Sequence, residues 1–295
     1  MNVGKYKGTV FVLLAGLFWG TMGVFVNLWS AKGLGSVEIA LIRTGSAALV
    51  MLLYLFLKDK SLLKIKPAHL WCFFGSGVCS LVFFSLCYFE AIKLSSMSVA
   101  AVLLYLAPVF VMLMSALLFK DKITLLKILA IFFSVGGCAF VSGIAGGVLN
   151  VSLIAVLYGV GSGFGYALYS IFSKYALKYG YSSLTITAYT FLFAFLALVF
   201  IADLGKVGSV AFLNAQNTAL SLLTGVVSAV IPYVLYTKGL EYIQAGKASV
   251  IASVEPVCAT VLSVLIYEEK LGAVQVVGIF LVIFSIVLLE LHKKD

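Results

Sequence analysis

The sequence predicts an all-α integral membrane protein, with ten transmembrane helices arranged as two inverted five-helix repeats. Three observations point there. Of the 295 residues, 63% are apolar and only 11% are charged, against about 25% charged in an ordinary soluble domain. Apolar runs of about twenty residues, the length that crosses a bilayer, recur along almost the whole chain. The second half also repeats landmarks of the first in one register.

In chain order, Lys5 and Lys7 precede the first apolar run, as in a signal peptide. That run continues to about Trp29 without a small-x-small cleavage site and is followed by more spans, so it reads as a retained first helix. The spans fall at 9–29, 36–57, 70–93, 97–119, 124–143, 152–175, 183–203, 217–239, 245–267 and 272–291. An even number places both termini on one side. With both termini cytoplasmic, fifteen lysines lie inside and only Lys32, Lys93, Lys206 and Lys270 lie outside. This is the positive-inside bias. The net charge of +9 therefore marks topology and gives no reason to expect nucleic acid as a partner. The compact chain suggests a bacterial plasma membrane.

Cys72, Cys79, Cys87, Cys138 and Cys258 all fall inside apolar runs, with no CxxC and no cysteine–histidine cluster. They read as small packing residues. His69 and His292 sit near helix ends. No metal, cofactor or catalytic group is expected.

The glycine-rich connection Gly143-Ile144-Ala145-Gly146-Gly147 divides five spans from five, giving units at 9–143 and 152–291. A shift of 148 residues lays Leu70–Val141 on Thr218–Leu289 without a gap. It matches Gly77 with Gly225, Tyr88 with Tyr236, Pro108 with Pro256, Ser115 with Ser263 and Lys122 with Lys270. An odd number of spans per half makes the halves enter the membrane in opposite directions. Such inverted repeats place a solute site near mid-membrane, at their interface.

The ninth span carries Glu255 and Pro256 near its middle. A carboxylate at that depth costs about 2.5–3.5 kcal/mol on insertion scales. Proline removes a helix hydrogen bond and clashes with the carbonyl four residues back. The matched position in the fourth span is Ala107, followed by Pro108, so the kink is common to both halves and the acid is not. Glu255 is thus the leading candidate for solute binding or coupling, as counter-ion to an amine or as a proton carrier. Pro108 and Pro256 are candidate hinges that free the carbonyls of Leu104 and Ala252. Pro232 would free that of Ser228 and reads as a tolerated kink.

Arg43, the only arginine, lies about 10 Å below the outer edge of the second span, and Glu255 about 18 Å below it. The two are candidate counter-ions, or separate holders of an amino acid's carboxylate and amine. The alternative for Arg43 is snorkelling or pairing with Glu38. Trp19, Tyr105 and Tyr236 are candidate cavity groups, whereas Tyr88, Tyr166, Tyr169 and Tyr233 read as interfacial or packing residues. Glu90 with Lys93 reads as a surface pair. Gly159, Gly161, Gly163 and Gly165 form overlapping GxxxG patterns for close helix packing.

Phe18-Trp19-Gly20, LAPVF at 106–110, VEPVCA at 254–259, and the paired segments YFEAIKLSSMSVAAVL and YTKGLEYIQAGKASVI resemble the drug/metabolite transporter superfamily, in its ten-span EamA-type branch. The family's acid after the PV helix is matched by Asp121 and by Glu268-Glu269. The resemblance covers essentially the whole chain. It implies a carrier of small solutes, with helices one to four and six to nine around a central cavity. It also implies that helices five and ten are peripheral and form a possible homodimer contact. The expected function is secondary-active export or exchange of a small metabolite, an amino acid or related compound, by alternating access. The alternatives are an organic-cation or drug exporter and, less favoured, a channel. No P-loop for ATP is present, and no cluster of acids with histidine suggests an enzyme.

Overall fold

The computed structural model describes residues 3–142, 151–268 and 272–291. The glycine-rich connection at 143–147, Glu269, Lys270 and His292 lie outside the described residues. Among the described residues the regular structure is helical throughout. Eight helices are long and apolar enough to cross a membrane: Tyr6–Ser30, Ser36–Lys58, Pro67–Leu94, Val99–Phe119, Leu153–Lys178, Ala215–Gly239, Ala245–Tyr267 and Ala273–Glu290. Two shorter apolar helices, Leu125–Val141 and Ser183–Leu198, occupy the fifth and seventh places and complete ten. A short helix, Leu204–Ala211, was not anticipated. The Asp203 side chain caps it by accepting from the Lys206 N–H, and Val207 and Ala211 are its buried face. Eight residues inside a connection are too few to stand out as a periodic pattern.

The long helices are irregular: the first is interrupted at Thr21, with no counterpart in the continuous sixth span, whereas the irregularities of the third and fourth spans recur 148 residues on. The third span widens into π-helical turns over Gly75–Val82, and the eighth over Val226–Val230. The fourth span is interrupted between Met97–Leu104 and Ala107–Phe119, and the ninth between Ala245–Ala252 and Val254–Tyr267. At the breaks, Tyr105 and Ser253 have ψ of 5° and 1°. Each break lies three residues before a proline, Pro108 or Pro256, whose ring and missing N–H prevent the helix from running through. Both spans then end on a left-handed residue, Lys120 at φ 59° and Glu268 at φ 56°. The same backbone plan is thus used twice, once in each half.

The fifth and tenth spans pack against each other at a glycine crossing. A Cβ on Gly278 would lie 2.7 Å from the Gly137 carbonyl oxygen, and one on Gly137 would lie 2.9 Å from that of Gly278. Without side chains the two backbones touch, the usual means of close helix approach in lipid. Their outer faces carry exposed Phe132 and Phe280. The main core gathers Trp19, Trp29, Tyr169, Phe191, Tyr233 and Tyr236 from the other spans, and reaches Cys138, Val282 and Ile286 on the fifth and tenth.

Candidate functional site

Two small chambers lie side by side at the level of the helix breaks. One is aromatic and lined by Trp19, Phe84, Tyr166, Tyr169, Tyr233 and Tyr236, with Ser80, Leu81 and Ser170. The other surrounds Glu255 and is lined by Leu104, Tyr105, Ala107, Pro108, Tyr166, Ser249, Ala252 and Ser253. Each has a volume of about 10 Å³, room for one water molecule at most. Tyr166 lines both.

Glu255 lies in the first turn of the second segment of the ninth span, just past the break at Ser253. The Tyr166 hydroxyl donates to Glu255 Oε2 at 3.4 Å, longer than the usual range for such bonds. Tyr105, the cap residue of the matching break, lines the same chamber. The interruption of both helices therefore sets the acid between two half-helices from opposite repeats.

Arg43 is held by a backbone carbonyl and not by an acid. Its Nη2 donates to the Ser228 carbonyl at 3.0 Å, and its guanidinium carbon lies 5.6 Å from the Tyr233 ring centroid. Among the described residues it makes no ion pair within 4.0 Å with Glu255 or with Glu38. Glu38 instead accepts from the Asp203 N–H at 3.4 Å. Ser228 stands four residues before Pro232, in the π-helical stretch of the eighth span. Pro232 was expected to be an ordinary kink, yet the carbonyl it leaves without a helical donor is the one that receives the arginine. Arg43 Nε is buried and, among the described residues, has no hydrogen-bond partner.

Trp19 is the hub of the aromatic chamber. Its ring centroid lies 5.1 Å from Tyr233, 5.2 Å from Tyr236 and 6.1 Å from Tyr166. Among the described residues its indole N–H, in a residue only 6% exposed, has no hydrogen-bond partner. Beneath it, buried hydroxyl pairs lock the sixth span to the eighth: Tyr169 with Thr237 at 2.6 Å and Ser170 with Tyr236 at 2.7 Å. The structure therefore brings Trp19, Tyr236 and, through Tyr233, Arg43 to the aromatic side. It brings Glu255, Tyr105 and Pro108 to the acidic side, and Pro256 follows Glu255 directly.

Glycines set the backbone around both chambers. A Cβ on Gly163 would lie 2.9 Å from the Leu103 oxygen and 3.1 Å from that of Leu104. One on Gly16 would lie 3.1 Å from the Ala252 oxygen. The carbonyls opened by Pro108 and Pro256 thus each face a glycine on a neighbouring span, the sixth or the first. A model of the EamA-like transporter family matches this chain twice, over residues 6–143 and 153–291. The chain belongs to the EamA-like transporter family.

Relatives agree with that membership. The uncharacterized inner membrane transporter YicL of Salmonella typhimurium is 26% identical over 98% of this chain and 96% of its own. The uncharacterized transporter YwfM of Bacillus subtilis is 26% identical over 96% and 93%. An uncharacterized transporter of Archaeoglobus fulgidus is 30% identical over 65% of this chain and 66% of its own. One solved crystal structure, 19% identical, shares the fold with a TM-score of 0.78 over 97% of both chains. The protein is a multi-pass membrane protein of a transporter family. What sequence reading underrated within it is Tyr166, which resembles any other membrane tyrosine until the chambers on both sides of it are seen.

Proposed function

We propose that the protein is a secondary-active carrier that exports or exchanges a small metabolite, an amino acid or related amine, by alternating access. The observation that carries this reading is Glu255: an acid at mid-span, beside a helix break and facing a chamber walled by Tyr105 and Tyr166. A lone carboxylate at that depth is costly and is retained where it serves a solute or an ion. A fixed anion there would pair with the ammonium of a solute, and the aromatic chamber next to it would take the apolar part. The two units, each with a broken helix at the matched position, would rock about this level and expose it to one side at a time. The lysine-rich face and, with ten spans, both termini would be cytoplasmic, in a plasma membrane.

An organic cation is the second reading. Three tyrosine rings grouped around Trp19 beside an acid form the kind of cage that receives quaternary ammonium groups. Counterflow in proteoliposomes separates the two. Vesicles loaded with a pool of amino acids, amines and nucleosides are assayed by mass spectrometry, with tetraethylammonium as competitor. Selective exchange of amine-bearing metabolites, lost or made independent of pH in Glu255→Gln, is the expected result. Exchange of the same solutes by Glu255→Gln at the wild-type rate, with unchanged pH dependence, would remove Glu255 from the mechanism. Exchange blocked by tetraethylammonium at equimolar concentration would favour the organic cation.

A further inference from the structure

The two chambers are each too small for any organic solute, yet they adjoin. Tyr166 is the one residue that lines both. Its hydroxyl reaches Glu255 in one chamber only through a 3.4 Å contact. On the other side its ring meets Trp19 and Phe84 edge-on, at centroid distances of 6.1 and 5.6 Å. The backbone beneath it has no such freedom. A Cβ on Gly165 would lie 2.8 Å from Phe83 and 3.0 Å from the Phe84 nitrogen, and Gly163 is pressed as closely on Leu103. The tyrosine side chain, by contrast, is tied to Glu255 only by that long contact.

The unpartnered indole N–H of Trp19 adds a second constraint, independent of Glu255. A buried donor with no acceptor is uncommon in native structures and calls for an explanation. A solute oxygen in the aromatic chamber would satisfy it.

Building on the reading of Glu255 as the solute's counter-ion, we propose that Tyr166 is a movable partition between two halves of one solute site. The solute fills both halves, with an ammonium at Glu255, and an apolar body and an acceptor oxygen beside Trp19. Its ammonium displaces the Tyr166 hydroxyl from Glu255, the ring swings aside, and the chambers merge. The acceptor oxygen distinguishes this solute from a simple quaternary amine.

The test is calorimetric binding of four probes to purified wild type, Tyr166→Phe, Tyr166→Ala, Trp19→Phe and Glu255→Gln, each shown to be folded by monodisperse elution. The probes are methylamine, 3-methylbutylamine, leucine amide and tryptophan amide. In wild type, leucine amide should bind about fivefold more tightly than 3-methylbutylamine, the scale of one hydrogen bond. That preference should vanish in Trp19→Phe. Tyr166→Phe should tighten methylamine and both of those probes, and Tyr166→Ala should in addition admit tryptophan amide. Loss of all binding in Glu255→Gln, with the same size profile in wild type and both Tyr166 variants, would overturn the partition and leave the counter-ion standing. Unaltered binding in Glu255→Gln would overturn the counter-ion itself. Failure of every probe to bind folded wild type would overturn the solute class.

Discussion

The two faces of the helix bundle are held shut in different ways. On the lysine-rich face, connections are tied across the bundle by directed hydrogen bonds. Lys174 Nζ donates to the carbonyls of Leu240 at 2.7 Å and Ile243 at 3.3 Å, and Lys127 Nζ donates to Gln244 Oε1 at 2.6 Å. The connection from the eighth to the ninth span is thereby fastened to the sixth and fifth. Glu290 accepts from Thr9 at 2.7 Å and pairs with Lys247 at 2.8 Å, joining the tenth span to the first and ninth. The connection from the second to the third span is anchored likewise, by Thr185 on the Leu62 carbonyl at 2.9 Å and Tyr189 on that of Leu63 at 2.6 Å.

Among the described residues of the opposite face, the cross-bundle ties are fewer and without charged donors: the Asp203 N–H to Glu38 at 3.4 Å, the Gln275 amide to the Val141 carbonyl at 3.5 Å, and the Trp29 indole N–H to Thr224 at 2.9 Å. The pair Lys93–Glu90, as expected, is exposed and local. Burial follows the same division. The inner segment of the ninth span buries Ala245 and Ala248 through Ala252, whereas the outer segment buries only Pro256 and Val257. A face held by packing can loosen gradually, but a face held by charged donors must break them together. The lysine-rich side is the one tied by charged donors, and on the alternating-access reading it is the sealed side.

The largest expected effect comes from breaking that seal. Hydrogen bonds from charged donors contribute about 1.5–3 kcal/mol each. Replacing Lys127 and Lys174 with Met should therefore shift the balance toward the lysine-side-open state by about tenfold or more per residue. Thiol accessibility from each side of the membrane measures it. A middle-sized effect should follow at the pinned breaks. Gly163→Ala forces a methyl against the Leu103 oxygen, 2.9 Å away, and should cost about 1–3 kcal/mol, read as a lower melting temperature. Gly23→Ala, on the outer part of the first span with nothing within 4 Å, should be neutral or stabilise by up to about 1 kcal/mol. The smallest effect belongs to Lys93→Ala, which removes an exposed pair and should change stability by less than about 1 kcal/mol.

Much of this frame was legible in the sequence, for reasons that can be named. Span positions follow from hydropathy, because a bilayer leaves backbone groups no partners outside a helix. The breaks at Tyr105 and Ser253 were legible because proline acts locally, a few residues upstream of itself. Glu255 stood out because its cost at mid-depth does not depend on its neighbours. What stayed hidden depends on approach in space. The lysines looked like topology markers, and nothing in their spacing shows that Lys174 and Lys127 converge on residues 240–244. Arg43 was weighed against Glu38 and Glu255, its charged candidates, whereas it binds a carbonyl that Pro232 had opened on another span. The π-helical stretches leave no pattern in hydropathy, because they add a residue to a turn without changing which residues are apolar.

The most direct measurement places a single cysteine at Ser249, with the five native cysteines replaced. Ser249 lines the Glu255 chamber on the sealed side and is 5% exposed. A membrane-impermeant maleimide is applied from the lysine-rich face, with Lys127 and Lys174 intact or both changed to Met. Protection with the lysines intact and rapid labelling without them is the predicted result. Equal labelling in both proteins, or continued protection after the lysines are removed, would contradict a lysine-held seal.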